Sequence, residues 1–387
     1  MNFALTEEQR AIEDGVSQIL SVFDDEYWLE KDRKGGFPEE FYRAMANGGW
    51  LGVSFPEEVG GANLGVVSAT VMMRAIASSA GAMQAASAIH MNVFGPKAIA
   101  VFGTDEQKQR WLPGLIDGTY KMCFAVTEPD AGLDTTRIKT RAERDGDDYI
   151  IHGQKIWTST AQVTEKIMLL ARTAQRDDDA PSSGLSLFFT DLDRDAASVR
   201  EIDKMGRKAV DSNEIFFDGM RVSAADRIGE EGKGFRYILS GMNAERILIA
   251  AECIGDARWF IEKARDYAND RQVFGREIGK NQGIQFPIAE AYMQTEAANL
   301  MVEEAARKYE SGERAGAEAN MAKYLASEAS WKAADMCMQT HGGFAFAEEY
   351  DVERKFRETR LYRIAPVSNN LVLSFVGEHV LGMPKSY

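Results

Sequence analysis

The sequence predicts an α+β protein in which helical N-terminal and C-terminal parts flank a central part made of β-strands. Three observations predict this order. Apolar residues follow a helical spacing over residues 5–120. Short strand-like runs with turn-prone connections then continue to about Ile228, and helical spacing returns from Gly232 to the end. We therefore expect three domains, at residues 1–120, 121–230 and 231–387.

Two signals mark helix starts in the N-terminal part. Pro38 occupies a favoured early helical position, with Phe41 and Met45 on the apolar side of the helix that follows. Thr104 is a good N-cap for a helix that begins at Asp105. Between them, residues 66–99 are rich in Ala and Met, which is typical of a tightly packed bundle.

The central part begins at about Lys121, where the apolar period changes. An Asp-Gly turn within 144–148 predicts a hairpin between residues 138–143 and 149–152. Apolar or β-branched runs predict the other strands, which are 122–127, 166–171, 185–189, 215–217 and 220–222.

The C-terminal part contains the stretch around which the rest is organised, residues 241–254. It resembles the first turns of a long helix, with Asn243 as a cap and Glu245 in the opening turn. The following residues are apolar on nearly every side, so we expect a buried helix. A carboxylate beside it is costly to desolvate. Glu245 is then either an acid that complements the helix dipole and pairs with Arg246, or a general base in an apolar pocket.

Composition excludes several classes of function. The 387 residues are 45% hydrophobic and carry a net charge of -15, which favours a packed core and disfavours a nucleic-acid partner. No apolar run approaches the roughly 20 residues of a membrane span, and the acidic first ten residues lack a signal-peptide core. We expect a cytoplasmic protein. The three cysteines and four histidines are scattered, which predicts neither a disulfide framework nor a metal site.

Common nucleotide-binding and hydrolase motifs are missing from the sequence. No G-x-G-x-x-G follows a strand, the glycines of 229–234 lack the spacing of a P-loop, and no G-x-S-x-G occurs. A Rossmann site, a P-loop and a hydrolase elbow are therefore unsupported.

Three other stretches have both an ordinary and a functional interpretation. VTEPDAG at 126–132 leaves a strand into a loop, which is either a simple turn or a source of N–H donors. KIWTST at 155–160 sets a Trp beside hydroxyls, as a core residue or as a flat surface for a ring. QTHGG at 339–343 is either a helix C-cap or a place of close approach to a diphosphate or adenine.

Taken together, these stretches in this order resemble the acyl-CoA dehydrogenase family over nearly the whole chain. Matching stretches also occur at 55–61, 271–275 with Gln282 beyond, and 357–362. The resemblance implies a β-barrel-like central domain and a C-terminal four-helix bundle. It also implies FAD as cofactor, an acyl-CoA substrate, a homotetramer or dimer, and an electron-transfer flavoprotein as partner.

The resemblance also implies roles for individual residues. Those expected at the flavin ring are Phe124, Val126, Thr127, Trp157 and Ser159. Those expected at the FAD diphosphate and adenosine, across a subunit boundary, are Arg271, Phe274, Gln282, Gln339, Gly342 and Gly343. Asn243 and Arg246 are expected to contact substrate.

The catalytic base is the main departure from the common pattern. Many members carry it late in the chain, where this sequence has Pro366, and residues 362–368 contain no carboxylate. A minority, including isovaleryl-CoA and long-chain enzymes, place it on a helix at a position that matches Glu245. The resemblance therefore favours Glu245 as the base. Leu133 and Ala345 replace a common Ser and a common Gly.

The expected reaction removes an α-proton and transfers the β-hydrogen as hydride to the flavin, giving the trans-2-enoyl-CoA. Three alternatives stay open at this point. They are an acyl-CoA oxidase or flavin monooxygenase of the same fold, a reductase that runs the reaction backwards, and a non-catalytic acyl-CoA-binding paralogue.

Overall fold

The computed structural model describes residues 5–385. Its N-terminal part is helical, as predicted. The helices are α1 (Glu7–Leu20), α2 (Asp25–Lys34), α3 (Glu39–Asn47), α4 (Gly65–Ala77), α5 (Ala82–Phe94), α6 (Lys97–Phe102) and α7 (Asp105–Ile116). Helix α3 begins directly after Pro38, so this proline lies one position before the helix rather than in its first turn. The capping box of Thr104 confirms the second start signal.

The central part is a mixed sheet. Its strands are β1 (Met122–Ala125), β2 (Arg141–Asp145), β3 (Asp148–Ser159), β4 (Lys166–Arg172), β5 (Leu185–Asp191), β6 (Ala197–Glu201), β7 (Ser212–Ser223) and β8 (Arg227–Ile228). They run in the order β6-β7-β3-β2-β4-β5-β8, and β1 pairs in parallel with β4. The predicted hairpin forms between β2 and β3.

The C-terminal part is a bundle of long helices. The helices are α8 (Gly234–Asp270), α9 (Gln282–Glu310), α10 (Gly316–His341), α11 (Val352–Thr359) and α12 (Asn369–Phe375), and a short hairpin of β9 (Gln272–Val273) and β10 (Arg276–Glu277) joins α8 to α9. The helical, β, helical fold predicted from the sequence is confirmed.

Three details of the prediction are wrong. The runs 215–217 and 220–222 belong to one strand, β7, because its pairing with β3 continues on both sides of Gly219. Strands β6 and β8 were not predicted. Asn243 does not cap α8, since this helix begins at Gly234 and Asn243 lies inside it.

The long helix α8 is buried between the N-terminal and C-terminal helices. Ile247 and Ile254 belong to a core cluster shared with α4, α5, α9 and α10. Full burial of such side chains contributes about 1.5–3 kcal/mol each. A Cβ at Gly255 would lie 2.2 Å from the carbonyl oxygen of Arg74, so glycine is what allows α8 and α4 to pack this closely.

Two kinds of feature are missing from residues 5–385. None of their helices is both long and apolar enough to cross a bilayer. They also contain no group of three or more His, Cys, Asp or Glu side chains arranged to hold a metal ion.

Candidate active site

Glu245 lies about three turns into α8 and lines a small cavity. Phe94 of α5, Phe124 of β1, and Ile238 and Met242 of α8 form much of the wall around it. The carboxylate is therefore surrounded by aromatic and aliphatic groups contributed by all three parts of the chain. Its position inside the helix also removes the first interpretation, because a dipole effect is confined to the terminal turn.

The Glu245 carboxylate is free to react. Within the described residues it makes no hydrogen bond and no ion pair, and the Arg246 guanidinium instead donates to Asn243 Oδ1 at 3.1 Å. Burial, opposed by the charge of Arg246 and reinforced by that of Glu252, raises the pKa of Glu245 to about 7. A carboxyl group with this pKa can accept a proton near neutral pH.

A buried ion pair fixes the loop that follows β1. Lys155 Nζ lies 3.0 Å from Glu128 Oε1 and also donates to the Val126 carbonyl oxygen at 2.9 Å. Glu128 accepts two further bonds, from the backbone N–H of Lys139 and of Thr140. Burial opposes ionisation of Glu128, but the charge of Lys155 and these N–H donors hold its pKa below the usual value. The Glu of this loop therefore has a structural role.

The ends of β1 and β3 lie side by side and form an open wall. The Ile156 N–H donates to the Thr127 carbonyl oxygen at 2.9 Å, which places Thr127 next to Trp157. Trp157 has φ 60 and is 57% exposed. A positive φ is unfavourable for a bulky residue, yet here it turns a large indole toward solvent. Phe124 belongs to this wall and also to the Glu245 cavity.

The wall has features that suit a flat aromatic ring. The Trp157 indole offers a flat apolar face, and the partly buried Ser159 follows two residues later. Aromatic and hydroxyl groups at the adjoining ends of β1 and β3 therefore fit a planar heterocycle with polar ring atoms.

A second group of predicted residues lies elsewhere, around the end of α8. Arg271, Gly342 and Gly343 line one open groove. The Arg271 guanidinium lies 5.2 Å from the ring centre of Phe344, and a Cβ on either glycine would meet no atom within 4 Å. The groove therefore combines a positive charge with exposed backbone, a suitable surface for a diphosphate.

Three other predicted residues are exposed near this groove rather than near Glu245. Gln282 begins α9, Gln339 lies near the end of α10, and Phe274 is fully exposed with φ 54. The structure does not bring these side chains to the open wall formed by the ends of β1 and β3. Glu245 and Arg271 are separated by roughly 39 Å along α8, at ~1.5 Å per residue.

Sequence reasoning missed one pair of residues near the site. Glu252 on α8 is fully buried and contacts His90 of α5. The only sequence signal was a charged residue within an apolar stretch, because nothing in the pattern relates residues so far apart in the chain.

Comparison with known proteins agrees with this architecture. Family models match three consecutive segments, described as the N-terminal, middle and C-terminal domains of acyl-CoA dehydrogenase, at residues 6–119, 123–220 and 232–381. The acyl-CoA dehydrogenase FadE12 of Mycobacterium tuberculosis is 36% identical over 394 residues, covering 100% of this chain and 99% of that protein.

Two further relatives illustrate the range of the similarity. The caffeyl-CoA reductase-Etf complex subunit CarC of Acetobacterium woodii is 32% identical over 87% of this chain and 88% of its own. The structure of butyryl-CoA dehydrogenase from Megasphaera elsdenii is 28% identical, with a TM-score of 0.93, over 98% of this chain and 100% of that one. Solved structures with this fold also include an FAD complex. The chain therefore belongs to the acyl-CoA dehydrogenase family of FAD-dependent oxidoreductases.

Proposed function

We propose that the protein catalyses α,β-dehydrogenation of an acyl-CoA thioester to the trans-2-enoyl-CoA, with Glu245 as the general base. One observation carries the proposal. The unpaired Glu245 carboxylate shares a cavity with Phe124, which also belongs to the wall suited to a flavin. A proton acceptor and a hydride acceptor on one cavity are the two groups that this oxidation needs.

Glu245 removes the α-proton of the bound thioester. The apolar walls exclude water and keep the proton affinity of the carboxylate high. FAD, when bound, supplies the acceptor for the β-hydrogen, which leaves as hydride. Asn243 and Arg246, which hydrogen-bond to each other on the same turn of α8, contact the substrate near the base.

The residues that hold FAD fall into two groups. The flavin ring is held by Phe124, Val126, Thr127, Trp157 and Ser159. The diphosphate and adenosine are held by Arg271, Phe274, Gln282, Gln339, Gly342 and Gly343. Support comes from the open wall formed by the first group and the charged groove in which Arg271 lies with Gly342 and Gly343.

The two groups serve different FAD molecules, and this requires a homo-oligomer. The roughly 39 Å between Glu245 and Arg271 exceeds the reach of one FAD, so Arg271 acts on the cofactor of a neighbouring subunit. Helix α9 supplies an unpartnered apolar surface for such a neighbour, because Phe286, Met293 and Leu300 are exposed at seven-residue intervals along it. A dimer satisfies this requirement, and a tetramer is the larger assembly expected from the resemblance.

The electron acceptor is an electron-transfer flavoprotein. Support comes from the relative of Acetobacterium woodii, which is named as a subunit of a reductase-Etf complex. The same name favours a second candidate, reduction of an enoyl-CoA with electrons supplied by the flavoprotein. Reoxidation of the substrate-reduced enzyme by an electron-transfer flavoprotein much faster than by oxygen supports the proposal, and the reverse excludes it in favour of an oxidase.

The domain limits and the location in the cell stay predictions. The change from α7 to β1 and from β8 to α8 supports divisions near residues 120 and 230. Cytoplasmic location rests on the sequence alone.

Anaerobic bleaching of the flavin tests the function. The purified protein is expected to be yellow and to bleach with at least one of butyryl-, isovaleryl-, octanoyl- and palmitoyl-CoA. Glu245→Gln keeps the shape of the side chain but cannot accept the proton, so flavin reduction should slow by at least about 100-fold while FAD stays bound. Glu262→Gln, an exposed change on the same helix, is the matched control.

Two results would contradict the assignment. Reduction of the Glu245→Gln flavin within roughly tenfold of wild type is too small a loss for a missing base. A protein that holds FAD and binds acyl-CoA but is bleached by none of the four would support the non-catalytic alternative.

A further inference from the structure

A buried acid and a buried imidazole lie behind the Glu245 cavity. Glu252 has no solvent exposure, and its Oε1 lies 3.2 Å from Nδ1 of His90, which is 7% exposed. Glu252 Oε2 is buried and has no hydrogen-bond partner among the described residues. An incompletely paired carboxylate is costly in a core, and the function described so far does not use this pair.

The pair is connected to the cavity by two routes. Glu252 lies seven positions after Glu245 on α8, so the two acids project from one face of the helix about two turns, or roughly 10 Å, apart. On the other side, the His90 ring lies 5.4 Å from the ring of Phe94, which lines the cavity. Leu248 and Ile249, which lie between the two acids on the shared face of the helix, are apolar and buried, so the interaction of the acids across this face is weakly screened.

Other charged or titratable groups around the pair come from several elements. Those on α8 are Arg246, Cys253 and the buried Asp256, and those on neighbouring elements are Lys323 of α10, Tyr362 after α11 and Arg207 of the β6–β7 loop. Lys323 Nζ is already bound to the Val367 carbonyl oxygen and to Asn369. Tyr362 is hydrogen-bonded to Ser87. His90 is the group that contacts Glu252 directly.

We propose, on the basis of the function proposed above, that the Glu252–His90 pair is a positioning pair that sets the pH at which Glu245 becomes an active base. A negative charge on Glu252 disfavours a second negative charge on Glu245. It therefore favours proton uptake by Glu245 when substrate is oxidised. The imidazole of His90 holds the Glu252 carboxylate in place, on the face of α8 that also carries Glu245.

The test is the pH dependence of flavin reduction in the FAD-bound enzyme. The probe is whichever of the four acyl-CoAs reduces the wild-type flavin fastest under anaerobic single-turnover conditions. Glu252→Gln removes the charge and keeps the shape, so the acidic limb of the profile should move to lower pH. At an effective dielectric constant of about 20 and roughly 10 Å, the expected shift is on the order of one pH unit. Glu262→Gln should leave the limb unchanged.

A second variant keeps the test decisive if Glu252→Gln folds poorly. The double change His90→Phe with Glu252→Leu replaces the buried pair by apolar groups, which cores often tolerate, and should shift the limb in the same direction. An unshifted limb in either variant that folds and holds FAD would overturn the inference. Failure of the base assignment can be told apart from failure of this inference, because substrate would then still reduce the flavin of the Glu245→Gln variant.

Discussion

The buried Glu128–Lys155 ion pair offers the sharpest prediction about stability. Lys155→Met fills the same space without the charge. Lys155 is fully buried and Glu128 nearly so, at an N–O distance of 3.0 Å. The change leaves the Glu128 carboxylate without its counter-charge and the Val126 carbonyl oxygen without its donor.

The expected loss of unfolding free energy follows from this burial. Removing one partner of a buried pair costs about 3–5 kcal/mol. The lower end applies here, because the N–H groups of Lys139 and Thr140 still donate to Glu128. We therefore expect the free energy of unfolding to fall by about 3 kcal/mol. FAD content should also fall, since Val126 and Thr127 form part of the wall.

The matched control is a second Lys–carboxylate pair in the same loop. Lys139 and Asp130 lie 3.2 Å apart, but both side chains are more than three-quarters exposed. Lys139→Met should cost less than about 0.5 kcal/mol. Urea unfolding at one protein concentration, with FAD content measured alongside, compares the two. Equal losses of unfolding free energy in both variants would refute the argument that burial makes the Glu128–Lys155 pair more important for stability than the exposed pair.

Three further predictions concern the cofactor and the base. Flavin reduction should fall by roughly tenfold for each pH unit below about 7, because the protonated form of Glu245 is inactive; a rate independent of pH down to 5 would contradict this. The same raised pKa means that the folded chain binds the extra proton, so the contribution of Glu245 to stability should decrease as pH rises from about 4.5 to 7. Arg271→Ala should release FAD with little change in the melting temperature of the apoprotein, and a monomer that retains FAD tightly in sedimentation would argue against a subunit-spanning site.

The order of the three parts could be predicted because each has its own apolar period. Strand β6 could not be predicted, because the sequence around Val199 is polar. It forms a strand by pairing with β7. The local pattern predicts two strands at 215–217 and 220–222, but pairing with β3 continues β7 across Gly219. Pairing partners are long-range facts that a local pattern does not contain.

The candidate site divides in the same way. Glu245 was recognisable because burying a carboxylate in an apolar helix is energetically costly. In the structure its carboxylate lines the cavity and has no hydrogen-bond or ion-pair partner among the described residues. The start of α8 at Gly234 was obscured because Gly241 resembles a boundary, although it lies inside the helix. The contact between Glu252 and His90 depends on how α5 packs against α8, which only the folded chain defines.

Helix α8 also fixes the distance between two functional positions. Glu245 lies within this unbroken helix and Arg271 directly follows its last residue, so their spacing and relative direction are set by the number of residues between them. Inserting a single residue would turn one end relative to the other by about 100° and lengthen the helix by ~1.5 Å. An insertion or deletion between these positions would therefore misalign Glu245 and Arg271 relative to each other. Substitutions on the exposed side of the helix would leave their spacing unchanged.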